Sequence, residues 1–97
     1  HLSAVGSDTP GKQELAADLL SRAQPLVCDD LELASRAGEL QHADDDIRAR
    51  AVTLSDVLAG RRPGRTSDAQ ISVADLCGLG VQDAAIAELV IARLPAR

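Results

Sequence analysis

The order of apolar runs and helical stripes predicts an α/β domain built on a parallel sheet. Two observations carry that expectation. Short apolar runs at Leu2–Val5, Leu26–Cys28 and Ile71–Ala74 have the length of buried strands. Between them lie segments with apolar residues three and four apart, the spacing of a helix packed on a sheet. A third observation sets the ligand edge: the first two runs are each followed closely by aspartate, at Asp8 and Asp29–Asp30. Open α/β sheets bind ligands at the carboxyl ends of their strands.

Taken in order, the first strand covers residues 2–5 and stops at Gly6. Pro10-Gly11 suits the centre of a type II turn, with Gly supplying the positive φ. A helix is expected from Gln13 to Ala23, with Leu15, Leu19 and Leu20 inward and Asp18 and Arg22 paired outward. Pro25 opens the second strand. Asp29 is the expected N-cap of the next helix, with Glu32 at capping-box spacing and Leu33, Ala37 and Leu40 on its buried face. Residues 41–51 are polar and read as a loop. Thr53-Leu54-Ser55-Asp56 opens a short helix that turns Leu54, Val57 and Leu58 inward and stops at Gly60. A basic Pro/Gly connection over residues 61–69 leads to the third strand. The last helix is expected from Gln82 to Leu94, with Ile86, Leu89, Val90 and Leu94 on one face and Gln82-Asp83 at its start.

Composition narrows the function. The chain has 97 residues and a net charge of -5, enough for one small domain. It has no Phe, Trp, Tyr or Met, so Leu, Val, Ile and Ala must build the core. The ten basic residues are scattered, which argues against a nucleic-acid partner. No apolar run approaches the ~18–20 residues needed to span a bilayer. No secretory leader is visible in the first residues. Cys28 and Cys77 form no C-x-x-C pair and read as reduced thiols, in keeping with a cytoplasmic protein. His42-Ala43-Asp44-Asp45-Asp46 has metal-capable groups but no closed ligand set, and reads as a solvated acidic loop, so no metal site is expected.

From spacing alone, Asp8 can cap the following turn, face solvent, or act as a general acid/base beside a substrate. Burial beside that substrate would have to lift its pKa toward working pH. Lys12, four residues on, can hold a carboxylate, a cofactor oxygen, or only solvent.

The stretch Val5-Gly6-Ser7-Asp8-Thr9-Pro10-Gly11-Lys12-Gln13-Glu14-Leu15 resembles the Gly-x-Asp-x-Pro-Gly-Lys-x-Glu-Leu pattern of the ornithine cyclodeaminase/mu-crystallin family. Asp29-Asp30-Leu31-Glu32, Gly38-Glu39-Leu40, Gly64-Arg65-Thr66-Ser67-Asp68 and the run Gly78–Ala87 follow in the family's order. The resemblance implies the distal part of a Rossmann-type dinucleotide-binding domain plus a C-terminal strand-helix segment, a fragment of a two-domain protein. Residues 1–52 would be the distal half of the NAD(P)-binding domain, and residues 53–97 a segment returning toward the substrate and dimerisation domain. No G-x-G-x-x-G is present; in the family it lies upstream. His1 opening directly into a strand points the same way, toward truncation.

The resemblance also implies roles. Asp8 is the expected proton donor/acceptor. Val5, Gly6, Ser7, Asp8, Lys12 and Leu76 are expected at NAD or NADP, and Cys77 at the substrate. Relatives often carry Ser or Thr where Leu76 and Cys77 stand. The implied substrate is an amino acid or cyclic imine, and the implied assembly a homodimer. The activity would be ornithine cyclodeamination to proline, or imine or amino-acid oxidoreduction, with the 97 residues inactive alone. A crystallin-like ligand-binding protein or an inactive remnant is the alternative.

Overall fold

The computed structural model describes residues 1–96; Arg97, the end of the expected second segment, lies outside the described residues. Four strands form one parallel sheet: β1 (Leu2–Ala4), β2 (Ala23–Cys28), β3 (Val52–Thr53) and β4 (Ile71–Asp75). Their spatial order is β1-β4-β2-β3, so the last strand in sequence lies between the first two. Five helices connect and follow them: α1 (Ala17–Arg22), α2 (Leu31–Ala37), α3 (Asp45–Arg50), α4 (Leu54–Leu58) and α5 (Gly80–Arg93). A single 3-10 turn, Glu39–His42, follows α2.

The core lies where helices cover one face of the sheet. Leu26 and Cys28 of β2 pair in register with Val73 and Asp75 of β4, so their side chains share a face. Leu20 of α1, Ala34 of α2, Leu40 of the turn and Ala43 close over Leu26, Cys28 and Val73. With no aromatic side chain, the interior depends on three leucines; burying each contributes about 1.5–3 kcal/mol.

Several expectations need correction. The first helix begins at Ala17, not Gln13; the amides of Glu14 and Leu15 point to the Glu39 carboxylate of the 3-10 turn. Asp30, not Asp29, caps α2: its Oδ1 accepts from Leu33 N–H at 2.7 Å. Leu40 is buried, but in the 3-10 turn rather than in α2. The polar stretch 41–51 contains α3, capped by Asp44, whose Oδ1 accepts from Ile47 N–H at 2.9 Å. Such a cap contributes about 1 kcal/mol. Leu58 is 79% exposed rather than inward. The Asp18–Arg22 pair is absent from the ion pairs among the described residues, which are Lys12–Asp8, Arg48–Asp45 and Arg61–Asp56.

The expected division after residue 52 does not fall at a break in the sheet. β3 spans that point, and β4 occupies the centre, with Val73 fully buried. Only α5 stands away from the sheet. Its large apolar residues Val81, Ile86, Leu89, Val90 and Ile91 are all exposed.

Two turns follow the sequence closely. Thr53 caps α4 by accepting from Asp56 N–H, and Gly60 ends that region at φ 75°. Pro10-Gly11 forms its turn with Gly11 at φ 91°, closed by Lys12 N–H donating to Thr9 C=O at 3.3 Å.

Candidate functional site at the carboxyl ends of β1 and β4

The register pairs Leu2 with Val73, Ser3 with Ala74 and Ala4 with Asp75. Leu76 N–H then donates to Ala4 C=O at 2.9 Å, extending the ladder one step. Val5 and Leu76, far apart in sequence, therefore leave the sheet side by side. The loop carrying Asp8 lies next to the Leu76-Cys77 ledge.

The Pro10-Gly11 turn folds the loop back so that Lys12 meets Asp8. Lys12 Nζ lies 2.7 Å from Asp8 Oδ1, with the side chains 54% and 51% exposed. The hydrogen bond from Lys12, then its charge, hold the Asp8 carboxyl below the ordinary carboxylate value of 3.8. This is opposite to the lift a general acid needs. Both groups are open to water here, so desolvation opposes the charge less than Lys12 favours it. As it stands, Asp8 is a carboxylate with one oxygen held by an ammonium.

The remaining expected residues divide. Val5 and Gly6 are exposed, and Leu76 and Cys77 are half-buried, so these four present surface at the sheet edge. Ser7 does not: it is 1% exposed, and its hydroxyl points to Ala37 C=O at 3.0 Å and Lys12 C=O at 3.1 Å. A side chain so placed braces the loop against the end of α2 and offers no surface to a cofactor. The Cys77 thiol is pushed up to about 11, first by burial and then by the charges of Asp75 and Asp29. It is therefore a neutral, weakly polar group at neutral pH.

Residues from the end of α2 and its 3-10 turn hold the loop from beneath. Gln41 Oε1 accepts Gly11 N–H at 2.8 Å, and its amide donates to the carbonyls of Thr9, Lys12 and Gly38. His42 Nε2 lies 2.6 Å from Lys12 C=O. Glu39, fully buried, accepts from Glu14 N–H at 2.6 Å and Leu15 N–H at 3.2 Å. Gly6 N–H donates to Glu14 Oε1 at 2.5 Å.

Asp75 ends β4 with no exposure at all. Its Oδ2 accepts from Leu40 N–H at 3.0 Å, while Oδ1 has no partner. Burial raises this carboxyl above its ordinary value; the backbone N–H groups of Glu39 and Leu40 oppose the shift, and the charges of Glu39 and Asp29 add to it. Asp29 ties the end of β2 to the next turn, its Oδ2 accepting from Gly78 N–H at 2.7 Å. Sequence reasoning singled out Asp8 and passed over Asp75. The same pattern, an aspartate closing an apolar strand, marked both.

Among the described residues no group of three or more His, Cys, Asp or Glu side chains could hold a metal ion. Asp44 is engaged in capping α3 and His42 in the loop clasp.

The profile of the Ornithine cyclodeaminase/mu-crystallin family matches residues 1–97. An alanine dehydrogenase of Archaeoglobus fulgidus is 41% identical over 97 residues, covering 93% of this chain and 29% of that protein. The structure of the iminosuccinate reductase of Paracoccus denitrificans in complex with NAD+ superposes with a TM-score of 0.81 at 38% identity, covering 93% of this chain and 28% of that one. An archaeal alanine dehydrogenase dimer with bound NAD gives a TM-score of 0.74 at 37% identity, with 91% and 28% covered. The chain thus spans less than a third of the length of these relatives. By the match along its whole length, the chain belongs to the ornithine cyclodeaminase/mu-crystallin family.

Proposed function

We propose that these residues form the distal part of the nucleotide-binding domain of an NAD(P)-dependent enzyme. Its substrate is an amino acid or cyclic imine, and the reaction changes the oxidation level of a carbon bonded to nitrogen. One observation supports the reading: the β1–β4 register, extended by Leu76 N–H to Ala4 C=O, brings Val5, at the head of the loop that carries the Asp8–Lys12 pair, alongside Leu76 at the carboxyl edge of a parallel sheet. The relatives' names support the class, covering an alanine dehydrogenase and an iminosuccinate reductase.

The exposed Val5 and Gly6 and the half-buried Leu76 suit one wall for a flat ring, which is the fit a nicotinamide needs. The cofactor, NAD or NADP, supplies the hydride chemistry when bound. The chain's own residues do the rest. Once substrate displaces Lys12 and excludes solvent, Asp8 accepts a proton from the substrate nitrogen or an adjacent water, and later returns it. Lys12 orients that carboxylate and neutralises it until then. Leu76 and Val5 keep water from the ring. Cys77, neutral and small, shapes the substrate side where a hydroxyl would otherwise bond. Ser7 acts through the loop's backbone. No G-x-G-x-x-G lies in these residues, so the pyrophosphate belongs to the remainder of the enzyme. The 97 residues alone are accordingly inactive.

In the same reading the apolar face of α5 packs on the rest of the protein, which functions as a homodimer. A cytoplasmic setting accords with the two free thiols, and no described helix is long and apolar enough to cross a membrane. The choice between cyclodeaminase and reductase turns on substrate-binding residues outside this segment. The retained Asp8–Lys12 pair favours catalysis over a crystallin-like binding role or an inactive remnant.

The test is Asp8→Asn in the complete enzyme. Turnover should fall by about 10²–10⁴-fold, with cofactor affinity changed little. Full turnover in Asp8→Asn removes this carboxylate from the mechanism. Tight NADH binding by the 97 residues alone would overturn the divided site.

A further inference from the structure

The amino ends of β2 and β4 lie side by side, because Ala23 pairs with Ile71. A cleft of about 480 Å³ opens there, lined by Arg22, Gln24, Ser67, Ala69, Gln70 and Ile71. It is on the edge of the sheet opposite to Asp8, since the strands are all parallel and the site described above lies at their carboxyl ends. No carboxylate lines it, in a chain that carries fifteen acidic residues and a net charge of -5. Asp68 stands between two of the lining residues in sequence but is not among them.

Arg22 is the cation of the lining. Its spacing from Asp18 suits an ion pair along α1, yet none forms among the described residues, and Arg22 borders the cleft instead. The C-terminal end of a helix carries partial negative charge and would repel an anion held by Arg22. Arg50 offsets that repulsion. Its guanidinium donates to the carbonyls of Ser21 at 3.0 Å, Ala23 at 3.3 Å and Leu20 at 3.5 Å, and so covers the end of α1 with a second positive charge. The neutral groups divide in the same sense. Gln70 Oε1 accepts from Thr66 N–H at 2.6 Å and from the Thr66 hydroxyl at 3.2 Å, which leaves the Nε2 donors of Gln70 unspent among the described residues. Ser67 C=O accepts from Gln70 N–H at 3.2 Å, while the Ser67 hydroxyl stays available at the cleft. These acceptors are used inside the chain, and the donors are left over. An oxyanion is the ligand that takes donors and offers only acceptors.

We propose that this cleft binds an oxyanion group, a carboxylate or a phosphate, with Arg22 as its charge partner and Ser67 and Gln70 as neutral donors. Ser67 thereby gains a role that the site at Asp8 does not give to the stretch Gly64–Asp68. A ligand here sits at the far end of β4, the strand that leads to the Leu76-Cys77 ledge. Its binding does not depend on the reading of Asp8.

The test is NMR on the isotope-labelled full chain, titrated with inorganic phosphate and, separately, with acetate. Ionic strength is held fixed so that general screening does not change. At least one of the two anions should shift the Ser67 amide and the side-chain N–H signals of Arg22 and Gln70 along one saturating curve, half-complete at about 1–10 mM. Phosphate alone marks a phosphate site, acetate alone a carboxylate site, and both a general oxyanion site. Arg22→Gln keeps donors but loses the charge, and should weaken binding by about tenfold or more. Arg62→Gln removes the same charge from an equally exposed position in the connection before β4, and should leave the half-point unchanged. Both altered side chains are exposed, and the Val73 and Ala74 amides report that the sheet is intact. Shifts that saturate with neither anion overturn the proposal. So does a half-point unchanged in Arg22→Gln, or an equal loss in Arg22→Gln and Arg62→Gln. A saturating curve centred on Lys12 instead would place the anion at the Asp8 edge and overturn it as well.

Discussion

Gly38→Ala is the sharpest probe of how the two halves of the site are packed together. Gly38 joins α2 to the 3-10 turn at φ -90° and ψ -166°, extended backbone that any residue adopts. On backbone grounds alanine should be favoured there, by roughly 0.4–1 kcal/mol through the unfolded chain. Space decides otherwise. A Cβ at this position would lie 2.6 Å from Asp75 Oδ2, 2.8 Å from Asp75 Oδ1 and 2.8 Å from Cys77 Sγ. Asp75 cannot simply swing away, because its Oδ2 holds Leu40 N–H inside the core. Overpacking costs about 1–3 kcal/mol, and leaving a buried amide without its acceptor costs about 1–3 kcal/mol more. With the backbone gain subtracted, the net loss is about 1–5 kcal/mol, centred near ~3, a large part of the ~5–15 kcal/mol available to a domain this size. The chain lacks aromatic fluorophores, so urea unfolding is followed by far-UV circular dichroism. At a urea slope of about 1–3 kcal/mol/M, a loss of about 3 kcal/mol should lower the midpoint by about 1–3 M. Gly80→Ala is the control, since a Cβ there meets nothing within 4 Å. Equal midpoints for Gly38→Ala and Gly80→Ala would refute the reasoning. Adding Cys77→Ala to Gly38→Ala should restore part of the loss, because it removes one of the three contacts.

Two further outcomes follow from the buried acids. Because burial raises the Asp75 carboxyl in the folded chain, the unfolded chain ionises first as pH rises above 3.8, so this group's contribution to stability falls through its folded titration range. Asp75→Asn removes that loss and can offer an N–H where Oδ1 has no partner, so the variant should gain on the parent between pH 4 and pH 7.5 in urea midpoint; a constant difference at both ends contradicts the assignment. Cys77, at about 11 against an ordinary 9.0, should alkylate in the folded chain at pH 7.5 roughly tenfold slower than in urea, its smaller thiolate fraction being partly offset by higher intrinsic nucleophilicity. Mass spectrometry of iodoacetamide adducts reads this directly, with Cys28, pushed up to about 12 and fully buried, trailing behind. Equal rates folded and unfolded would show the thiol to be free.

Three of the four strands among the described residues and the turn chemistry were legible because they depend on local residues; the two-residue β3 was not. Pro10-Gly11, Thr53 at its cap and Gly60 at its stop all behave as their types dictate. The errors share one physical cause, competition from residues distant in sequence. Residues 13–16 have helical spacing, but they are drawn to the 3-10 turn by the Glu39 carboxylate and α1 begins only at Ala17. Asp29 had capping-box spacing, yet Gly78 N–H occupies its carboxylate and leaves the cap to Asp30. α3 was hidden because its exposed face is charged throughout, and only Ile47 and Ala43 marked an inward side. The place of β4 between β1 and β2 is a pairing choice that no single-strand pattern encodes.

Asp8, Asp29 and Asp75 stand at or just beyond the carboxyl ends of the neighbouring strands β1, β2 and β4, and their surroundings give each a different use. Asp75 is sealed in the centre of the sheet, so it can fix Leu40 but cannot reach a ligand. Asp29 is half-buried, with one oxygen given to Asp30 N–H and the other to Gly78 N–H. Asp8 alone keeps half its surface open, and its partner is a mobile ammonium on an exposed side chain, not a fixed backbone amide. A lysine on the surface can be exchanged for a substrate at little cost, since exposed ion pairs are weak; a buried amide cannot. The proposal that Asp8 carries the proton accords with the physics of the three environments as well as with its motif. In that proposal the downward shift of the Asp8 carboxyl belongs to the open site and reverses when substrate displaces Lys12 and excludes water, and the residues worth altering to tune the chemistry are those that set the Lys12 distance, not the carboxylate itself.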